Sequence, residues 1–326
     1  MSATPPEPAP PAVAAPRVVF VGAVEEGRRC LAALVEAGER FAGIVTITPE
    51  LRATTSGWAR FDELAAAIDA PLIEVRDLNA PENVARLAEL RADLLIVVGW
   101  TRLLGGEVLA LPRLGAVGFH ASLLPRYRGR APVNWALIHD EPATGNTMFF
   151  LDEGVDTGDI IDQRTIPIGD DDDVRTLYEK VSDAGTEMLL AHLPALKAGT
   201  APRRAQDHTA ATIMPRRRPE DGVIDWHRDA RSLRNWVRAL TVPYPGAFST
   251  LDGRRVIIWQ ARVGSTTTTE PPGRLIDAGE GAGEVGVATG DGVLVLERIE
   301  WAGEAPVAGR ELAAFVGRSF GGEGNG

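Results

Sequence analysis

Residues 116–161 read AVGFHASLLPRYRGRAPVNWALIHDEPATGNTMFFLDEGVDTGDII, and this stretch decides the fold. The apolar run 114–119 has the character of a short strand ending at His120, where a side chain can stand at a sheet's carboxyl edge. Open α/β sheets place their chemistry at that edge. Ser122-Leu-Leu-Pro-Arg-Tyr-Arg-Gly129 is a basic loop whose turns are fixed by Pro125 and Gly129, and 131–139 recovers a helical period. Residues 144–151 predict a second strand, which empties into Asp152-Glu-Gly-Val-Asp-Thr-Gly-Asp159, an acidic, glycine-hinged turn. One histidine and one carboxylate, Asp156, thus hang from two strand ends.

Upstream, 17–22 is a β-branched run, 25–37 has helical spacing with Leu31, Leu34 and Val35 on one face, and 41–47 is the next strand. Strands at 72–74 and 93–98, with a helix at 81–90 between them, continue an alternating β/α order. That order predicts a Rossmann-like α/β domain with a parallel-rich twisted sheet covered on both faces. The turn 20–27 lacks the G-x-G-x-x-G spacing that lets a backbone approach a pyrophosphate, so no dinucleotide is predicted.

Downstream, four aspartates at 170–173 open a long helix through 196. Carboxylates there cap free N–H groups and complement the macrodipole, and no metal is predicted. Residues 197–206 read as a linker. An amphipathic helix follows with Ala230, Leu233, Val237 and Leu240 inward, then short β runs at 255–260, 274–276, 284–288 and 292–299, whose spacing suggests a small open barrel. The expected division is a disordered leader (1–16), a catalytic domain (17–206), a C-terminal OB-like domain (207–320) and a disordered tail (321–326).

With 326 residues, 44% of them hydrophobic, the chain can fill two ordinary cores. Cys30, the single cysteine, sits in a helical pattern and reads as core. The leader has no basic n-region, and no run approaches 18 apolar residues, so a cytoplasmic protein with no membrane association is expected. The net charge of −11 argues against a nucleic-acid partner, because an acidic chain can displace counterions only through a local basic patch.

His120-x-Ser-Leu-Leu-Pro-x-Tyr-Arg-Gly129, followed by Pro132-x-x-Trp135, Thr144-Gly-x-Thr147 and Asp156-Thr-Gly-Asp159, resembles the folate-dependent N-formyltransferases. That family includes methionyl-tRNA formyltransferases and the formyltransferases of nucleotide-linked amino sugars. The resemblance runs from Val18 to about Val316, and Ile224-Asp-Trp226 and Pro243-Tyr-Pro-Gly-Ala-Phe248 match its carboxyl-terminal open barrel. It implies an enzyme that takes a formyl group from 10-formyltetrahydrofolate without a metal. His120 then donates to the forming oxyanion, while Asp156 holds the imidazole protonated and accepts the amine's proton, directly or through water. The implied donor pocket takes Trp100, Leu103 and Leu104 from the turn after the 93–98 strand, together with Leu123, Leu124, Pro125, Asp152 and Gly154. Core packing serves equally well for Trp100, and loop fixing for Asp152. The implied acceptor contacts are Arg126, Tyr127, Arg128, Gly129 and Trp135.

One position departs from the family. Its Asn-x-His pattern supplies a second oxyanion contact, and here that position is Gly118. Loss of one such donor typically costs on the order of 10²–10³ in rate. Compensation is expected from Ser122, Asn134, Asn146 or a water. The methionyl-tRNA enzymes resemble one another in a long basic insertion after the second strand, whereas residues 46–63 here read TITPELRATTSGWARFDE, with two arginines, no lysine and three acidic residues. The acceptor expected is therefore a small-molecule amine, such as a nucleotide-linked amino sugar or hydroxyornithine, and tRNA is not. Methionyl-tRNA formyltransferase is the alternative, and a silent binding protein that keeps the folate pocket is a third reading. A homodimer is left open.

Overall fold

The first sheet has seven strands in the order β3-β2-β1-β4-β5-β7-β8, formed by β1 (Val18–Val21), β2 (Gly43–Ile47), β3 (Leu72–Val75), β4 (Leu94–Val97), β5 (Ala116–His120), β7 (Ala143–Phe150) and β8 (Ile160–Pro167). The computed structural model describes residues 15–279 and 283–321. All but the last two residues of the expected leader, and all of the expected tail except Gly321, lie outside them.

β1 to β5 are parallel, β7 runs antiparallel to them, and β8 pairs antiparallel with β7 and so runs in the direction of β1 to β5 again. Every residue of β1, β2 and β4 is buried, as expected for Val/Ile/Leu-rich strands covered on both faces. On one face, α1 (Glu25–Glu36) and the long α6 (Val174–Ala198) pack over Phe20, Ile96 and Val117. On the other, α3 (Pro81–Glu89) and α4 (Gly106–Leu109) close over Val21, Leu95 and Ala116, with α2 (Asp62–Ala67) completing the upstream connections. The start of α6 is fixed as its carboxylates predict, with Asp173 accepting from the Thr176 amide at 2.9 Å in a reciprocal capping box.

The second sheet is a curled antiparallel half-barrel, β10 (Ala247–Leu251), β11 (Arg254–Val263), β14 (Val293–Trp301), β13 (Val285–Ala288) and β12 (Leu275–Asp277), with β15 (Val307–Ala308) pairing β14. Its core is continuous with α5 (Pro132–Ile138), α6 and α7 (Ala230–Leu240). The four predicted inward residues of α7 are all buried. Three of its arginines reach neighbouring elements: Arg231 pairs with Asp140 at 2.6 Å, Arg234 donates to the Asp170 carbonyl, and Arg238 donates to the carbonyls of Gly169 and Asp172. Arg234 and Arg238 lock the half-barrel's helix to the acidic turn.

Two strands were not legible in the sequence. β8 alternates poorly because its middle faces solvent, and β10 follows directly on the Pro243-Tyr-Pro turn. A third departure is 204–214, partly read as linker, which contributes β9 (Ile213–Met214) parallel to β6 (Arg128–Gly129).

Candidate active site

β5 delivers His120 to the carboxyl edge, opposite Thr147 of β7. The imidazole is buried, and its Nε2 lies 2.7 Å from the Tyr127 carbonyl. A carbonyl can only accept, so the hydrogen is on Nε2 and the ring is oriented by the loop. Its other nitrogen, Nδ1, faces Asp156 Oδ2 across 3.5 Å. The same Oδ2 accepts from the Gly129 amide at 2.8 Å.

Both supporting loops are held in constrained backbone. Tyr127 and Asp156 have φ of 60° and 54°, conformations that non-glycine residues keep only when their surroundings fix them. The turn carrying Asp156 is drawn in by Gly158, where a Cβ would stand 1.8 Å from the Phe150 carbonyl oxygen, so no other residue fits. Asp152 accepts from the Gly154 amide at 3.1 Å and from Thr157 Oγ1 at 2.6 Å, the loop-fixing alternative.

An apolar wall forms where Trp100, Leu104 and Leu151 pack against the core that includes Val97 and Ala116, and Leu151 also joins Leu124, Phe149 and Ile160. Trp100 Nε1 is buried with no acceptor, an orphan that a bound heterocycle's oxygen or nitrogen would satisfy. Leu103 is 63% exposed at the rim. Leu123 lies apart from this wall, over Gly145 in a separate small crevice, and Pro125 sets the neighbouring backbone through a cis bond from Leu124.

At Gly118 a Cβ would meet Leu151 Cδ2 at 2.7 Å. The leucine occupies the volume an asparagine would need. Leu151 is thus a site residue that the sequence reading missed; strand alternation from Thr147 through Phe149 could have found it. The three expected compensators are committed elsewhere. Ser122 Oγ donates to the Arg126 carbonyl, Asn134 to that of Ala239 and Asn146 to that of Val181 on α6. None reaches the imidazole.

Of the five expected acceptor contacts, only the Gly129 amide and the Tyr127 carbonyl touch the His120–Asp156 pair. The Tyr127 hydroxyl donates to Glu141 at 2.8 Å, and burial, reinforced by that carboxylate, holds it well above its ordinary pKa. Arg126 is an exposed partner of Glu141, Arg128 is buried, and Trp135 Nε1 donates to the Pro215 carbonyl while Arg217 stacks over its ring. Arg217 stacks on Trp236 as well, and Arg228 approaches that ring from 5.6 Å. Among the described residues no group of histidines, cysteines and carboxylates could hold a metal ion, and no helix is long and apolar enough to cross a membrane.

This fold and site belong to a known family. Residues 17–193 match the formyl transferase family and residues 216–315 its C-terminal domain. The chain is a member of the formyl transferase family, an enzyme of the formyltransferase class. It is 34% identical over 299 residues to the methionyl-tRNA formyltransferase of Geobacter metallireducens, an alignment covering 91% of this chain and 94% of the relative. It is 37% identical over 295 residues to that of Symbiobacterium thermophilum, covering 89% of each. Among solved structures, it resembles an N-formyltransferase from Helicobacter canadensis in complex with folinic acid and dTDP-3-aminofucose (TM-score 0.63, 15% identity, 86% of this chain and 98% of that one). It also resembles HypX from Aquifex aeolicus in complex with tetrahydrofolic acid (TM-score 0.64, 19% identity, 93% and 48%).

These relatives overturn the expected acceptor. The small-molecule amine and the exclusion of tRNA rested on net charge and on the short 46–63 segment, yet end-to-end relatives at 34–37% identity carry the methionyl-tRNA name. A whole-chain charge of −11 averages over the surface, and it does not register a local grouping such as Arg217 and Arg228 against Trp135 and Trp236, with Arg216 and Arg218 next to Arg217 in the chain.

Proposed function

We propose that this chain is a methionyl-tRNA formyltransferase, moving the formyl group of 10-formyltetrahydrofolate onto the α-amine of methionine carried by tRNA. One observation carries the proposal: the His120–Asp156 pair stands at the sheet's carboxyl edge in a chain that aligns with methionyl-tRNA formyltransferases over about nine-tenths of its length. The local arginine grouping supports a phosphate-bearing acceptor, since guanidinium groups bind phosphate without any excess of whole-chain positive charge.

In this proposal Trp100, Leu104, Leu124 and Leu151 form the apolar wall against the donor's ring system, and the buried Trp100 Nε1 finds its acceptor there. His120, held through Nε2–H on the Tyr127 carbonyl, carries a second proton on Nδ1 in the reactive form and donates that hydrogen bond to the formyl oxygen as it gains negative charge. Asp156, tethered by the Gly129 amide, takes the proton of the attacking amine, directly or through water. The acceptor's C–N bond forms, the donor's breaks, and the proton leaves with the departing folate nitrogen. Leu151 fills the place of the family's asparagine, so His120 is the principal polar donor at the oxyanion.

The test uses purified protein, 10-formyltetrahydrofolate and charged initiator methionyl-tRNA, with the amino acid released and weighed by mass spectrometry. Formylmethionine that saturates with methionyl-tRNA is expected; its absence, under conditions where a free amine is formylated, would overturn the proposal.

A further inference from the structure

The segment after α6 does more than join two domains. Arg204 exchanges both backbone hydrogen bonds with Ile160, at 2.8 and 2.9 Å, just beyond the Asp156 turn. Eight residues on, Thr212 takes the Tyr127 amide on its hydroxyl at 2.8 Å and the Arg128 amide on its carbonyl at 2.8 Å. The segment is therefore a strap across the two loops that hold His120 and Asp156.

Two residues beyond Arg204 stands Gln206, 7% exposed. Gln206 Nε2 donates to the carbonyls of Asp156, at 3.0 Å, and Gly158, at 2.7 Å. Its Oε1 accepts from Arg128 Nη2 at 2.6 Å. Arg128 is 5% exposed, has His208 Nδ1 at 3.0 Å from the same Nη2, and keeps a buried Nε without a protein partner. One amide thus ties the 126–130 loop to the two carbonyls, of Asp156 and Gly158, that lead out of the Asp156 turn.

We propose that Gln206 is a positioning residue for formyl transfer, setting the direction of the Asp156 carboxylate through the carbonyls of Asp156 and Gly158, with Arg128 as its anchor. The inference rests on the function proposed above only for the reaction assayed. Asp156 is held at φ 54°, and its side chain reaches both His120 Nδ1 and the Gly129 amide only from that backbone. Fixing the peptide plane that follows its Cα, and the turn two residues on at Gly158, constrains where Oδ2 points, and a misplacement of about 1 Å at a reacting group can cost on the order of 10²-fold in rate.

Two substitutions separate this role from simple filling of space. Gln206→Glu keeps the length and the acceptor for Arg128, and strengthens that contact with charge, but sets an oxygen against two carbonyl oxygens. Gln206→Ala removes both sides. In both variants we expect kcat to fall about tenfold to a hundredfold with either KM changed less than about threefold. Hydrogen exchange should show the Gly129 amide losing protection by about tenfold or more, because its acceptor has moved. Gln206→Glu should melt within about 3 °C of the natural protein. Wild-type turnover and Gly129 protection in Gln206→Glu, whatever the alanine variant does, would overturn the proposal by reducing Gln206 to a partner of Arg128. Lost protection with unchanged kcat would overturn it too. If the unmodified protein fails to formylate methionyl-tRNA, the functional reading falls, and Gly129 exchange alone then decides this inference: loss in both variants upholds it and retention overturns it.

Discussion

Two acidic turns of similar composition, 152–159 and 169–173, have opposite fates. In the second, Asp172 accepts from Lys180 Nζ at 2.6 Å, the Gly169 amide at 2.7 Å and Thr176 Oγ1 at 2.9 Å, and Asp173 caps α6. Burial raises the Asp172 carboxyl, but Lys180 and the two hydrogen-bond donors outweigh it, and the pKa ends below its ordinary value. In the first turn, Asp152 is likewise filled by its own loop, while Asp156 has one amide and an imidazole nitrogen at 3.5 Å. Chemistry follows the carboxylate whose acceptor capacity is left open on a fixed backbone, not the density of negative charge. The turn with four consecutive aspartates braces α6 through Asp172 and Asp173, and the other turn carries Asp156, the proton acceptor in the mechanism proposed above.

The largest expected break in this contrast comes at His120. His120→Ala should lower formyl transfer on the order of 10³-fold, and adding Asp156→Asn should lower it less than about threefold further, because the pair acts as a unit. Multiplying losses in steady-state assays would show that the two act separately.

A second effect sharpens why the open carboxylate works beside a glycine. Gly118→Asn must displace Leu151, so turnover should fall about tenfold, at an overpacking cost of about 1–3 kcal/mol. Combining it with Leu151→Ala should restore part of both, as read by kcat and by urea midpoint. A large gain from Gly118→Asn alone would mean that the site lacks a donor it could have used.

The saturated turn should answer in stability, not rate. Asp172→Asn should cost about 1–3 kcal/mol while turnover per folded molecule stays unchanged. The folded pKa of Asp172 is depressed, so its contribution is complete above the unfolded value of about 3.9 and is lost as pH falls through the folded value. Urea midpoints of the unmodified protein should therefore drop as the solution is acidified below about pH 4, with a shallower drop in Asp172→Asn. Equal acid limbs would contradict the role given to Asp172.

Glu26 on α1 gives a signal of opposite sign, again in stability and not in rate. Burial pushes its carboxyl up to about 7. The folded state keeps a proton that the unfolded chain releases near pH 4.3, so this residue makes stability decline as pH rises from about 4.3 to about 7. Glu26→Gln should flatten that decline in melting curves taken at pH 5, 6, 7 and 8, and an unchanged slope would place the titration elsewhere.

Much of this was legible because its signals are local. His120 and Asp156 stand in compact motifs, the inward face of α7 follows its period, and Asp173 precedes a helix by the usual capping distance. What stayed hidden depends on contacts between distant residues. Gln206 lies 78 residues from Arg128 and 48 from Gly158, in a segment that Gly199, Pro202 and two arginines make read as linker. Leu151 matters only because β7 pairs with β5 at Gly118, and Arg234 and Arg238 of α7 meet carbonyls that lie 64 to 69 residues earlier, which no local pattern announces. The acceptor was misjudged from a charge summed over the whole chain, a quantity that bears on long-range steering and not on one local surface.

The most direct test of the His120–Asp156 pair is the single-turnover rate of formyl transfer from 10-formyltetrahydrofolate to methionyl-tRNA, measured for the unmodified protein and for Asp156→Asn at matched, saturating substrate. A loss on the order of 10³-fold, with melting temperature and methionyl-tRNA binding preserved, is predicted. A rate within about tenfold of the unmodified protein's would contradict the assignment of Asp156 as the proton acceptor.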